Sequence, residues 1–313
     1  MSKEQKLISY VLTGPTACGK TELSLEIAEA LNCEIVCMDS MQIYRGMDIG
    51  TAKPGKAETD RVPHHMLSFL DPRENYSVSQ YQQDAERVIG QLHERGKSAL
   101  FVGGTTLYLR ALCHPLSLGG IGSDEDFRNE MRQIAQTDEG KRELHRRLEE
   151  IDPPTAARLH ENDARRVIRA LEVYHLTGVP LSAQPPREDE TAQDFRVAAV
   201  YRERSVLYER VNRRVDVMIR DGLEREVREL MARGVNRDHQ SMQGLGYKEM
   251  IAYLNGECSL EKAIELIRTG TRHYAKRQMT FLKSETEISW FDLGNGEARQ
   301  DIMNFFTTGG KNE

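Results

Sequence analysis

A glycine-rich segment near the N-terminus has the residue types and spacing of a phosphate-binding loop. The pattern Gly14-x-x-x-x-Gly19-Lys20-Thr21 allows backbone N–H groups to converge on an anion. In this pattern the lysine ammonium reaches the outer phosphate and the threonine hydroxyl binds a magnesium ion. The sequence therefore predicts a site for a di- or triphosphate, formed by Gly14, Pro15, Thr16, Ala17, Cys18, Gly19, Lys20 and Thr21.

The residues on either side of this loop predict a strand before it and a helix after it. Leu7 to Leu12 form an apolar run that is too short for a helix. After the loop, apolar residues recur near one helical face at Leu23, Ile27, Ala30 and Leu31. A strand, a glycine loop and a helix form the context in which this motif binds phosphate, because the helix N-terminus adds partial positive charge.

Two further strand candidates end in polar residues. Glu34 to Met38 is followed by Asp39, and Ser98 to Val102 is followed by Gly103-Gly104-Thr105. The carboxyl ends of parallel strands meet where ligands bind, so Asp39 and Thr105 are expected to face the same crevice as Lys20. The glycine pair would let backbone approach a ligand closely. For Asp39, a turn or helix-cap role is the alternative.

The recurrence of strand, loop and helix predicts an α/β fold with a P-loop NTPase-like parallel sheet flanked by helices. We expect residues 1–114 and 195–313 to form the phosphate-binding core and residues 115–194 to form a mostly helical insertion. The insertion begins with a Gly/Pro/Ser-rich connector, and its charged amphipathic segments predict helices over Asp124–Glu150 and Thr155–Leu176.

Three other segments carry weaker structural signals. Ile43 to Asn75 lacks periodicity and is expected to be irregular and to lie over the site. Its His64 and His65 could suggest a metal, but no acid or thiol stands at ligand spacing, so packing or loop hydrogen bonding is expected. The final strand candidate, Ile288 to Leu293, precedes a polar tail that is expected to fray.

Composition describes an ordinary globular chain with a formal net charge of -6, so any surface for nucleic acid must be local. The five cysteines show no disulfide or zinc spacing and suit a reducing compartment. The N-terminus carries no secretion signal, and no apolar run is long enough to span a membrane. These features predict a cytoplasmic protein.

A local excess of positive charge occurs between Leu266 and Ser284. This segment contains no acidic residue and interleaves basic and aromatic side chains: Arg268, Arg272, His273, Tyr274, Lys276, Arg277, Phe281 and Lys283. A cationic helix with aromatic residues fits a nucleic-acid backbone and a stacked base. The alternative is a helix that pairs with acidic neighbours.

The residues alone leave three functional classes open. The first is an enzyme that acts on RNA with a phosphorylated co-substrate. The second is a P-loop kinase for a small metabolite, with the insertion as a lid. The third is a non-catalytic RNA-binding NTPase switch.

Several longer strings resemble the bacterial tRNA dimethylallyltransferase family. The resemblance runs from about Leu7 to Trp290 and is carried by GPTACGKT, DSMQIYRGMDIGTAKP, VPHHMLSFLDP, FVGGTTLYLRAL, DARRVIRALEVYHLTG, QGLGYKE and YAKRQMTFLK. It implies transfer of a dimethylallyl group from dimethylallyl diphosphate to N6 of adenine 37, in tRNAs that read codons starting with U. Because that adenine must reach an enclosed site, it would be flipped out of its loop.

The resemblance also implies roles for individual residues. Asp39 would be the general base, Thr105 would position substrate, and Lys20 with Arg128 would bind the diphosphate alongside Mg²⁺ held by Thr21. Contacts with the tRNA anticodon stem-loop would come from Asp39, Ser40, Met41, Gln42, Arg165, Arg166, Gln243, Gly244, Lys248, Lys276, Arg277, Gln278 and Lys283. The implied partners are tRNA and dimethylallyl diphosphate, with no membrane, and the protein is expected to be a monomer.

Overall fold

The computed structural model describes residues 8–113, 121–184, 195–285 and 287–308. The chain divides into two compact units: a core unit of Met1–Cys113 and Thr191–Glu313, and a second unit of His114–Glu190. Three predicted features lie wholly or partly outside the described residues: most of the connector after residue 114, the residues just before 195, and Leu7 at the start of the first predicted strand.

The core unit contains a six-stranded sheet in which every pairing is parallel. Its strands, in chain order, are β1 (Ser9–Thr13), β2 (Cys33–Cys37), β3 (His64–His65), β4 (Ser98–Val102), β5 (Phe195–Tyr201) and β6 (Ile288–Asp292). Their spatial order is β3-β2-β4-β1-β5-β6, with β1 between β4 and β5. The parallel sheet confirms the predicted fold class, and strand bounds agree with the sequence to within two residues, apart from the short β3.

Helices connect the strands of the core unit, and other helices make up the second unit. In chain order they are α1 (Lys20–Ala30), α2 (Lys56–Arg61), α3 (Val78–Glu94), α4 (Thr106–Cys113), α5 (Glu125–Ile134), α6 (Asp138–Ile151), α7 (Pro153–Ala156), α8 (Ala164–Thr177), α9 (Arg204–Asp221), α10 (Leu223–Ala232), α11 (Tyr247–Leu254), α12 (Leu260–Leu282) and α13 (Ala298–Thr308). In the described part of the chain, no helix is long and apolar enough to cross a membrane.

Side chains of the sheet alternate between two apolar clusters, one on each face. Val11 of β1 and Phe101 of β4 belong to one cluster, whereas their neighbours Leu12 and Leu100 belong to the other. Successive residues of a strand point to opposite faces, so both faces of the sheet are covered. This burial explains why the strands read as continuous apolar runs rather than as alternating patterns.

The second unit is helical, as the sequence predicts, but its helices are shorter than expected. The predicted helix over Asp124–Glu150 is broken, because the Thr137 hydroxyl accepts a hydrogen bond from Gly140 N–H at 3.0 Å and starts α6 afresh. The predicted helix over Thr155–Leu176 is likewise divided into α7 and α8, with Asp163 as the N-cap of α8.

Two expectations about irregular segments are wrong. The expected frayed tail contains α13, since Ile302, Phe305 and Phe306 recur at helical spacing and are buried against the sheet. The segment Ile43–Asn75 contains α2 and the short strand β3, which pairs with β2 at Ile35 and Val36.

Candidate functional site

The phosphate loop runs from the end of β1 into α1, as predicted. Gly14 has φ of 139°, and a Cβ there would lie 2.2 Å from the carbonyl oxygen of Val200, so only glycine fits. Lys20 is the first residue of α1, and its ammonium donates to the carbonyls of Gly14 at 2.8 Å and Pro15 at 2.9 Å. The loop therefore places a cation and the N-terminus of a helix at one point.

Three arginines that the sequence analysis did not single out also converge on this loop. Arg202 donates to the carbonyl of Cys18 at 2.9 Å, and Arg210 donates to that of Ala17 at 2.8 Å. Arg214 donates to the Thr16 hydroxyl at 3.2 Å. Arg210 and Arg214 are four residues apart on α9 and so lie on one helical face. This spacing is the feature of the sequence from which their shared position could have been predicted. Together these cations favour an anionic ligand.

Asp39 follows β2 and lies beside the same loop. One oxygen of its carboxylate accepts hydrogen bonds from Met41 N–H at 2.8 Å and Gln42 N–H at 3.3 Å. Burial lowers the pKa of Arg214, and the negative charge of Asp39 opposes that shift. Asp39 therefore has the turn role that was the alternative, and it also faces the cation-rich cavity; its role as a base remains a prediction.

Thr105 lies beside Asp39 at the end of β4. Its hydroxyl accepts a hydrogen bond from Ser40 N–H at 3.0 Å. Burial raises the pKa of Tyr274 of α12, and the negative charge of Asp39 adds to this shift, whereas Thr105 and Gln278 oppose it. Tyr274 therefore lies near the predicted base Asp39. The sequence had placed Tyr274 only on the cationic helix.

Gln278 is buried between two loops rather than exposed on the surface of α12. Its amide oxygen accepts from Thr16 N–H at 2.9 Å, and its amide nitrogen donates to the Gly104 carbonyl at 2.7 Å. A Cβ on Gly104 would lie 2.2 Å from that nitrogen, so the absence of a side chain at Gly104 makes room for the Gln278 amide. Both ends of the amide are already hydrogen-bonded within the protein. These contacts do not support the predicted tRNA contact of Gln278.

Most of these groups line one cavity of about 570 Å³ in the core unit: Lys20, Asp39, Arg210, Arg214, Tyr274 and Gln278. Its polar lining includes Lys20, Thr21, Asp39, Gln42, His64 and Arg214, and its apolar lining includes Leu67, Val102 and Val217. His64 was not among the predicted site residues; its ring contacts the Val62 carbonyl at 2.7 Å, and burial lowers its pKa. Cationic, carboxylate and apolar side chains therefore share one space.

The donor set of this cavity fits a magnesium ion bound together with a phosphorylated ligand. Among the described residues, no group of three or more His, Cys, Asp or Glu could hold a metal alone. Thr21 offers a hydroxyl oxygen and Asp39 a carboxylate oxygen in the cavity lining. Mg²⁺ prefers oxygen ligands and takes much of its coordination from water and substrate phosphates, so this sparse set is sufficient.

The cationic helix α12 divides into two parts. Arg268 pairs with Asp216, and Arg272 pairs with Glu265 at 3.1 Å, as the alternative prediction expected. Further along, His273, Lys276, Arg277, Thr280, Phe281 and Ser284 surround an open hollow of about 610 Å³. Within the described ranges, Lys276, Arg277 and Lys283 form no ion pair, so this end of α12 keeps its positive charge for a ligand.

The other predicted contacts in the core unit lie on its surface or beside Asp39. Gln243 and Lys248 are exposed, and the buried Gly244 packs against Met41, since a Cβ there would lie 2.6 Å from the Met41 methyl. The QGLGYKE segment and the Asp39–Gln42 turn are therefore neighbours.

Within the second unit, the predicted site residues are engaged differently. Arg128 binds the buried Glu172 at 2.8 Å and Glu125 at 2.7 Å, so its guanidinium is held by carboxylates. Arg165 and Arg166 are exposed on α8, and Arg166 lies 3.4 Å from Asp163. The assignments of Arg128 to diphosphate and of Arg165 and Arg166 to tRNA remain predictions.

The parallel sheet and the loop at the N-terminus of α1 define an α/β protein of the P-loop class, and its cation-lined cavity suits an anionic ligand. A family model described as IPP transferase matches residues 42–285, and the chain belongs to this family.

Individual relatives agree with this assignment over nearly the whole chain. A tRNA dimethylallyltransferase of Halalkalibacterium halodurans is 45% identical over 302 residues, covering 96% of this chain and 95% of the relative. The crystal structure of a tRNA isopentenylpyrophosphate transferase from Bacillus halodurans is similar with a TM-score of 0.71 and 43% identity, covering 96% of each chain. A eukaryotic dimethylallyltransferase described as acting on tRNA is similar with a TM-score of 0.77 and 27% identity, covering 96% of this chain and 78% of that one.

Proposed function

We propose that this chain transfers a dimethylallyl group from dimethylallyl diphosphate to N6 of adenine 37 in tRNA. Its substrates would be tRNAs that read codons starting with U, and its products i6A37 and diphosphate. The observation that carries the proposal is the shared cavity, where the phosphate loop and the Asp39 carboxylate line the same space. The names of the relatives, which are tRNA dimethylallyltransferases, support the same reaction.

The diphosphate would lie at the phosphate loop. As the bond from C1 of the dimethylallyl group to oxygen breaks, its electron pair goes to the diphosphate and negative charge grows there. Lys20, Arg214 and the N-terminus of α1 surround this position and would stabilise that charge. Mg²⁺ held by Thr21 would supply further positive charge to the leaving group.

The adenine N6 would attack the same C1 carbon. Its lone pair is delocalised into the ring, so it becomes a better nucleophile when its proton leaves as the C–N bond forms. Asp39 would accept that proton through the carboxylate oxygen that does not bind Met41 and Gln42. The Thr105 hydroxyl accepts a hydrogen bond from Ser40 N–H, and it would orient the adenine beside Asp39.

The RNA would approach along the exposed cationic part of α12. Lys276, Arg277 and Lys283 would contact phosphates, while Phe281 and Tyr274 offer aromatic faces near them. Adenine 37 has to leave the anticodon loop to reach Asp39 within the cavity.

The direct test is mass analysis of nucleosides from unmodified tRNA incubated with the protein, Mg²⁺ and dimethylallyl diphosphate. The proposal expects i6A at adenine 37 and no product when adenine 37 is replaced by guanine. A parallel incubation with labelled ATP and small acceptors tests the kinase alternative, which the relatives do not favour. Phosphoryl transfer without prenylated tRNA would overturn the proposal.

A further inference from the structure

A buried carboxylate outside the cavity accepts four hydrogen bonds from one loop and one tyrosine. Glu226 of α10 is 9% exposed. One of its oxygens accepts from Asp48 N–H at 2.8 Å and Ile49 N–H at 2.7 Å. The other accepts from Gly50 N–H at 3.1 Å and from the Tyr247 hydroxyl at 2.6 Å. Three successive backbone amides therefore bind a single side chain.

The next residue of that loop contacts two groups of the cavity. The carbonyl of Thr51 accepts from Arg214 at 3.0 Å and from the side-chain amide of Gln42 at 3.1 Å. Arg214 also donates to Thr16 of the phosphate loop, so its guanidinium is fixed from two sides. The carbonyl that orients Arg214 thus follows directly after the amides that Glu226 holds.

The segment between these contacts has little freedom to move independently. The Thr51 hydroxyl donates to the Met47 carbonyl at 2.7 Å, which closes the loop on itself. Lys53, with a side chain only 4% exposed, donates to the Tyr44 carbonyl at 2.6 Å and to Asp48 at 2.7 Å. A displacement of the amides at Asp48–Gly50 would therefore be transmitted to the Thr51 carbonyl.

We propose that Glu226 is a positioning residue for the transfer reaction. Its carboxylate fixes the Asp48–Gly50 amides, and the Thr51 carbonyl then holds Arg214 at the geometry that binds the diphosphate. This inference rests on the proposed function. Tyr247 completes the anchor, and Gly50 is required for it, because a Cβ there would lie 2.6 Å from the Tyr247 ring.

The test is Glu226→Gln, measured by the dissociation constant of dimethylallyl diphosphate and by the kcat and KM of transfer. The glutamine has one oxygen, so its NH₂ group must face amides that need an acceptor. Small displacements of binding groups cost up to about 100-fold, so affinity for dimethylallyl diphosphate should fall at least about 10-fold. The matched control is Glu224→Gln on the same helix, whose partner is the exposed Arg228 at 2.8 Å, and it should match the wild type.

A double-mutant cycle separates positioning from general destabilisation. If Glu226 acts through Arg214, Glu226→Gln in an Arg214→Ala background should change the dissociation constant less than about twofold. A purely structural role would lower Tm while leaving the dissociation constant and KM of the folded protein unchanged, and that result overturns the inference.

Tyr247→Phe provides a second route if Glu226→Gln does not fold. It removes one donor of the four and should weaken dimethylallyl diphosphate binding by about threefold to tenfold; an unchanged dissociation constant again overturns the inference. A wild-type protein that prenylates no tRNA overturns the proposed function itself, whereas wild-type behaviour of both variants overturns only the role of Glu226.

Discussion

Gln278 accepts a hydrogen bond from the backbone N–H of Thr16 at 2.9 Å, and this contact ties α12 to the phosphate loop across 262 residues of sequence. The same amide donates to Gly104, so one buried side chain holds two of the loops that line the cavity. The helix that carries the exposed cationic surface is thereby connected to the groups that are proposed to bind the diphosphate.

Replacing Gln278 with leucine should loosen both loops. The Thr16 N–H and the Gly104 carbonyl would lose their partner, which costs roughly 1–3 kcal/mol of stability for a buried unsatisfied group. Urea unfolding should report this loss, and affinity for dimethylallyl diphosphate should fall with it. Gln278→Glu is the comparison, because it keeps an acceptor for Thr16 N–H but replaces the donor to Gly104 with a buried negative charge. A leucine variant with wild-type stability and affinity would contradict the structural role.

Asp39→Asn should abolish transfer and leave the fold intact. The asparagine oxygen can still accept from Met41 and Gln42 N–H, so the turn is preserved while the proton acceptor is lost. Single-turnover kinetics should show a loss of about 100-fold or more, with tRNA affinity unchanged. Asp39→Ala removes the turn contacts as well and serves as the comparison. Turnover by Asp39→Asn at the wild-type rate would exclude Asp39 as the base.

Lys20→Met should weaken binding of dimethylallyl diphosphate while sparing that of tRNA. The methionine keeps a slightly shorter unbranched side chain but removes the ammonium that faces the phosphate loop. Calorimetric titration should show an affinity loss of about 10-fold or more, since charge-assisted contacts are each worth roughly 1.5–3 kcal/mol. An unaltered titration curve would mean that the diphosphate binds elsewhere.

Charge reversal at Lys276 and Arg277 should weaken tRNA binding and flatten its dependence on salt. Each lost phosphate contact should reduce the slope of log K against log salt by about 1. Lys262→Glu is the control, because Lys262 is exposed at the opposite end of α12. If the double variant keeps the wild-type slope, the basic end of the helix does not contact RNA.

Stability should fall in acid through the buried Glu34. Burial opposes its ionisation, but hydrogen bonds from His65, Arg95 and Lys97 outweigh that effect and lower the pKa of Glu34 from 4.5 to about 2. The ionised form is therefore favoured by folding, and its contribution of roughly 3 kcal/mol is present above pH 4.5 and is lost as the pH falls towards 2.

Urea unfolding of the wild type and Glu34→Gln measures this contribution. The wild type should be more stable at pH 7, and the difference should narrow as the pH falls below 4.5. A difference that is independent of pH would show that the pairing does not stabilise the ionised form.

The sequence by itself determined the parallel sheet, the phosphate loop and the location of Asp39 and Thr105 at strand ends. These features depend on local signals: a short apolar run, a glycine pattern that only certain backbone conformations satisfy, and the rule that parallel strands present their carboxyl ends together. The strand Ser98–Val102 was predicted to the residue, because Lys97 precedes this apolar run and a glycine pair follows it.

Only the tertiary structure decided which distant side chains complete the site. Arg202, Arg210 and Arg214 join the phosphate loop, Gln278 lies between two loops instead of on a surface, and Glu226 holds the loop that carries Thr51. A helical pattern predicts which face of a helix is apolar. No periodicity in the sequence predicts the hydrogen-bond partner of an amide or a guanidinium. Those partners are set by how the sheet and helices pack, since a buried polar group must find its hydrogen bonds wherever the fold brings them.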